Sequence, residues 1–248
     1  MDQDLDIFLN RSRYEAFEDL EQLVRLLRAP NGCPWDREQT AATLRTHVIE
    51  EAYELVDAID RNDSKALCEE LGDLLLQVIF QTELASEAGL FDRTDVIDGI
   101  MKKLISRHSH VFGQDRVSET EEVLDLWERN KQKEKGQKSA ADRLRGVALA
   151  LPALLRAQKL ERRAPAAEDP WLAIGRGLAS VNKLQSDSAT PPSSTSPSTT
   201  SPSPELEAAY GELLFALAAL GNRHGLNAEA ALAAANRAYV EKFSEADL

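Results

Sequence analysis

Apolar residues recur every three or four positions along most of the chain, the period of a helix buried on one face. Phe17, Leu20, Val24 and Leu27 set this pattern for a helix from Tyr14 to Arg28, which Ala29-Pro30-Asn31-Gly32-Cys33-Pro34 then breaks. The next helix is predicted to start at Thr40 or Thr43 and to run to about Asp60. Another runs from an Asp63 or Ser64 cap to about Ala88, where Gly89 stops it. Further helices are expected over 94–107, 120–137, 151–163, 171–184, 205–221 and 228–243. Residues 108–113 read as a turn, and Arg143 to Gly146 as a connector. No stretch alternates like a strand, so the predicted class is all-α. The serine, threonine and proline tract from Gln185 to Pro204 has almost no apolar residues with which to offset the entropy of ordering. It is expected to be disordered.

The chemistry lies in the stretch from Arg45 to Gln81. Glu50, Glu51 and Glu54 fall within one narrow arc of the first helix, and Glu70 and Asp73 share a face of the second, with Glu69 beside them. A short turn at Arg61-Asn62-Asp63 makes the two helices antiparallel neighbours and brings their acidic faces together. Two like charges about 4 Å apart repel by roughly 4 kcal/mol at an effective dielectric near 20. A hard divalent cation that takes oxygen ligands removes that cost. A solvated acidic face is the alternative, since most charge runs are just that. Close apolar flanks (Val48, Ile49, Leu55, Val56, Leu71, Leu74) favour the metal site.

Composition narrows the partners. The formal net charge of −13 over 248 residues argues against a nucleic-acid polymer as principal partner. Cys33 and Cys68 make neither a CxxC pair nor a disulfide framework. The acidic opening MDQDLDIFLN lacks the basic and apolar regions of a secretory signal, and no apolar run approaches the roughly 20 residues of a membrane span. The expectation is a cytoplasmic protein with no membrane partner.

Six ordered blocks then carry a family resemblance: GCPWDREQT, EEAYELVDAI, EELGDLLLQVIFQ, SRHSHVF, WERNKQKEK and LPALLRAQKLERR. Together they closely resemble the MazG nucleoside triphosphate pyrophosphohydrolases, whose EExxE and ExxD motifs stand here as Glu50-Glu51-Ala52-Tyr53-Glu54 and Glu70-Leu71-Gly72-Asp73. The resemblance implies an all-α protein with four-helix-bundle cores completed by dimerisation. It implies hydrolysis of a nucleoside triphosphate to the monophosphate and pyrophosphate with Mg²⁺, or Mn²⁺ in its place. Glu51, Glu54, Glu70 and Asp73 match the metal ligands, and Glu50 would stand behind them or orient the water. Lys103 and Arg107 match the phosphate-contacting lysine and arginine, with Lys131 and Lys135 as weaker candidates. Trp35 is a candidate to stack on a base. His108 and His110 are expected to be structural.

The implied organisation is a catalytic domain over 1–145, a connecting helix and linker over 146–170, and a second, degenerate MazG-like domain over 171–248. In that second copy AIGRGLASVNKL replaces the EExxE helix. The ExxD position reads Ala208-Ala209-Tyr210-Gly211-Glu212, which leaves one carboxylate of four and predicts a catalytically dead scaffold. Two rivals differ in kind. A di-iron bundle protein would need ExxH motifs, and neither His47 nor His108 follows a glutamate by three residues. A non-catalytic helical dimer acting as an interaction platform would need no acidic site.

Overall fold

A computed structural model describes Tyr14 and residues 16–134, 136, 139–165, 168–188 and 203–246. Every regular element among them is helical, in agreement with the all-α expectation. The chain falls into two compact units, residues 1–123 and 124–248. No helix of the described residues is long and apolar enough to cross a membrane.

The first unit is built on α1 (Phe17–Arg28), α3 (Arg45–Asp60), α4 (Ser64–Glu87) and α5 (Arg93–Arg107), with the short α2 (Pro34–Glu38) between α1 and α3. Val24, Leu44 and Phe80 form the buried centre, with Leu76, Ile79 and Leu84 packed against it. The α1–α2 turn demands glycine at position 32, because a Cβ there would collide with the Leu27 carbonyl oxygen. Polar clamps set the register of α1 on α4. Arg25 Nε donates to Glu83 Oε2 at 2.9 Å, and Arg28 Nε donates to Glu87 Oε1 at 2.7 Å. From α5, Arg93 reaches Glu21 at 2.8 Å.

The α3–α4 hairpin turns at Asn62, which takes φ +53°, a left-handed conformation that asparagine tolerates. Asp63 then caps α4, its side chain accepting from the backbone N–H groups of Lys65 and Ala66. Gly89, at φ +66°, follows the end of α4, as the sequence predicts. The start of α3 differs from expectation. Thr40 and Thr43 bond to each other's backbone N–H across a separate turn, and α3 begins at Arg45 without a side-chain cap. The turn at 108–113 holds a single helical turn, α6 (Ser109–Phe112).

The second unit begins within α7 (Thr120–Glu134) and continues through α8 (Ala140–Arg145), α9 (Ala153–Arg163), α10 (Pro170–Ser188), α11 (Pro204–Arg223) and α12 (Ala228–Ala246). The expected connector at 143–146 is largely helical, because Ser139 caps α8 and Asp142 completes the reciprocal capping box. Ile174, Leu213 and Ala216 form the α10–α11 core. Gln158 is buried at the crossing of α9 with α11 and α12. Its amide donates to the carbonyls of Ala218 and Leu226 and accepts from Ala228 N–H. Both ends of the serine, threonine and proline tract are ordered, against expectation. α10 extends through Ser188, and Ser203 caps α11 with Pro204 in its first turn. Residues 189–202, the heart of that tract, lie outside the described residues.

Candidate metal centre

The α3–α4 hairpin brings three carboxylates to one point. Glu51 from α3 and Glu70 and Asp73 from α4 each offer an oxygen, and the three atoms lie within 4.8 Å of one another. All three residues are half-buried. The spacing explains the convergence. Glu70 and Asp73 stand three residues apart on one face of α4, and the antiparallel turn sets Glu51 opposite them. Glu54 is exposed, one turn further along α3, and its charge still acts on both Glu51 and Glu70.

The electrostatics are those of a site with too much negative charge. Burial, followed by the charges of Asp73 and Glu54, pushes the Glu51 carboxyl above the usual glutamate range, and His47 partly opposes this. Glu70 is raised in the same direction by desolvation, then by Glu54 and Asp73. Among the described residues no other group of three such side chains is gathered this closely. An all-oxygen donor set suits a hard divalent cation.

The remaining candidates fall in different places. Glu50 is exposed and turned to His47, whose Nδ1 lies 3.1 Å from Glu50 Oε2. Trp35, on α2 and about half exposed, meets the His47 ring edge-on with centroids 6.2 Å apart. His47 was missed as a site residue in the sequence, although its spacing of three and four residues from Glu50 and Glu51 was legible. On α5, Lys103 is half-buried and Arg107 is buried at 6% exposure. His108 Nδ1 donates to the Leu104 carbonyl oxygen at 2.7 Å.

Lys131 belongs to the second unit. Its Nζ lies 2.8 Å from Glu128 Oε2 and 4.7 Å from the centre of the Trp127 ring. Lys135 lies outside the described residues. In the second unit, α10 and α11 pack around Ile174, Leu213 and Ala216. There Arg176 is paired with Glu168 at 2.6 Å, and both line a pocket that also holds Glu212.

Comparison with known proteins places these residues in context. The sequence pattern of the MazG nucleotide pyrophosphohydrolase domain matches residues 39–112, which include all five acids, Lys103 and Arg107. The chain is 38% identical over 226 residues to the nucleoside triphosphate pyrophosphohydrolase of Escherichia coli K12, covering 91% of this chain and 84% of that protein. It is 36% identical over 232 residues to the nucleoside triphosphate pyrophosphohydrolase/pyrophosphatase MazG of Thermotoga maritima, covering 92% and 84%. A Mycobacterium tuberculosis nucleoside triphosphate pyrophosphohydrolase is 42% identical over 172 residues, or 68% of this chain and 51% of that protein.

Proposed function

The chain belongs to the MazG family of nucleotide pyrophosphohydrolases, and from that premise we propose that it hydrolyses nucleoside triphosphates to the monophosphate and pyrophosphate at the α3–α4 carboxylates. The observation that carries this reading is the approach of Glu51, Glu70 and Asp73 to within 4.8 Å across two helices. Glu51, Glu70 and Asp73, with Glu54 beside them, hold the cation. When bound, Mg²⁺ or Mn²⁺ polarises phosphoryl oxygens and neutralises charge that develops during phosphoryl transfer.

The chain's own side chains do the rest. Lys103 and Arg107 on α5 supply positive charge for the phosphates. Glu50, whose Oε2 lies 3.1 Å from His47 Nδ1, takes the proton of the attacking water. Trp35 offers an exposed ring for a base at the His47 side. Residues 171–248 are a degenerate copy without chemistry, since glycine, leucine and alanine of α10 and the alanines of α11 stand where carboxylates are needed.

The physiological form is a homodimer. Tyr53, Val56, Ile59, Leu71 and Val78 of the hairpin are about half exposed, an apolar face that a second copy would cover to complete a four-helix core. Sedimentation of the full chain at micromolar concentration reads this directly, and a monomer would refute it.

Turnover tests the function itself. Incubation with each nucleoside triphosphate and Mg²⁺, followed by ion-exchange separation, is expected to give monophosphate and pyrophosphate in equal amounts. Glu51→Gln is expected to lower the rate by about 100-fold or more with helicity intact, as for loss of a group that stabilises transition-state charge. Release of orthophosphate, or no turnover with any triphosphate, would overturn the assignment.

A further inference from the structure

The second unit contains a cavity of about 740 Å³, in the size range of small-molecule sites. Five basic side chains line it, Lys131, Arg143, Lys159, Arg162 and Arg163, against the single carboxylate of Glu128. That concentration runs against a chain whose formal net charge is −13.

The cations are gathered by specific contacts. Arg143 Nε donates to the Arg163 carbonyl at 3.2 Å, and Arg163 donates to the Arg143 carbonyl at 2.7 Å. This reciprocal clamp joins the end of α8 to the end of α9 and fixes two guanidinium groups beside each other without a carboxylate. On α9, Lys159 and Arg162 stand three residues apart, and Lys159 and Arg163 four apart, so all three share a face. Lys131, on α7, is tethered by Glu128 and the Trp127 ring. Burial pushes the Glu128 carboxyl up, but the bond from Lys131 and the nearby Arg163 charge outweigh it and hold it below the usual range. Glu128 is therefore ionised, and it offsets one of the five cations. Among the described residues no carboxylate lies within ion-pair distance of Arg143, Lys159, Arg162 or Arg163.

Four uncompensated cations around one hollow repel each other, just as the carboxylates of the first unit do. The sign points to an anion with several charges in a small volume. Guanidinium groups match phosphate oxygens in pairs, and linked phosphates carry three to four charges within a few ångströms. A long polyanion is excluded by the negative surface as a whole.

We propose that this basic cavity of the second unit is a binding site for two or three linked phosphates, as free pyrophosphate or as the tail of a nucleotide. The site is lined by residues of the second unit alone and needs no divalent metal.

Titration calorimetry of the full chain in EDTA at low salt tests it, with sodium pyrophosphate, ATP and adenosine as probes. Pyrophosphate and ATP are expected to bind, and adenosine is not. Equal affinities for the first two assign the site to the phosphates alone, and ATP tighter by about tenfold assigns it to a nucleotide, a difference of 1.4 kcal/mol. Lys159→Glu with Arg162→Glu is expected to weaken binding by about tenfold or more, and the milder Lys159→Gln with Arg162→Gln severalfold in the same direction. Circular dichroism checks that each variant is folded, and the neutral pair decides if the reversed pair is not. Asp73→Asn is expected to leave this metal-free binding unchanged. No heat from pyrophosphate or ATP in EDTA, full binding by the folded variants, adenosine binding as tightly as ATP, or loss of binding in Asp73→Asn would each overturn the proposal. Turnover with Mg²⁺ is read separately, so failure here leaves the hydrolase assignment standing or falling on its own assay.

Discussion

Replacing Asp73 by asparagine is expected to stabilise the metal-free protein and destabilise it relative to wild type once Mg²⁺ is added. The substitution keeps the side chain's size and removes one charge from a trio whose oxygens lie within 4.8 Å. At that separation a pair of unit charges repels by about 0.9 kcal/mol in bulk water and about 3.5 kcal/mol at an effective dielectric of 20. Glu51 and Asp73 are half-buried and reached by solvent, so the lower end governs. Relief of that one pair is worth about 1 kcal/mol, discounted for screening. For a chain of this size about 1 kcal/mol moves Tm by about 2–4 °C. With Mg²⁺ at about 100 times its Kd, wild type gains about 2.7 kcal/mol, while a variant short of one ligand gains less. The order of the two proteins therefore reverses. Differential scanning calorimetry of both, in EDTA and in MgCl₂, measures four transitions and reads the reversal directly. A variant that melts below wild type in EDTA would show that Asp73 is a structural acid. Equal Mg²⁺ shifts in the two proteins would show that it is not a ligand.

Two further outcomes follow from particular contacts. Glu51 and Glu70 are both raised above the ordinary glutamate value of 4.5, so on acidification they take up protons while exposed glutamates are still ionised. Protons compete with the metal, and Mg²⁺ affinity should fall with pH through the range above 4.5, while the metal-free fold gains stability from these two groups in that same range and loses it as pH rises again. Calorimetric titration with MgCl₂ between neutral and mildly acidic pH checks this, and a flat profile would contradict it. Gln158→Ala strips the amide that joins the carbonyls of Ala218 and Leu226 to the N–H of Ala228. Leaving these groups unpaired should cost about 2–4 kcal/mol. The variant should melt earlier and show the wild-type Mg²⁺ shift, and unchanged stability would mean that water replaces the amide without loss.

Much of the hairpin was legible from residue order. The three- and four-residue spacing placed Glu51, Glu70 and Asp73 on facing arcs, and Asn62-Asp63 supplied a turn and a cap by local chemistry alone. Local chemistry misled at Thr40 and Thr43, whose side chains satisfy each other's backbone across their own turn and leave α3 to begin at Arg45. The short helices α2, α6 and α8 fell below the length at which periodicity shows itself. The Ser139–Asp142 capping box that starts α8 was nonetheless present in the sequence. Lys131 resembled a free cation on a polar helix, and only its neighbours disclose that Glu128 and Trp127 hold it.

The sequence by itself determined the helical class and the antiparallel acidic hairpin, because helix period and turn chemistry act over a few residues. Tertiary structure decided which acids meet. It left Glu54 exposed while Glu51 joins Glu70 and Asp73, and it paired Glu50 with His47. It also gathered Lys131, Arg143, Lys159, Arg162 and Arg163, drawn from three helices of the second unit, around one cavity. Coulomb energy depends on distance through space, and residues separated by tens of positions acquire that distance only when their helices pack.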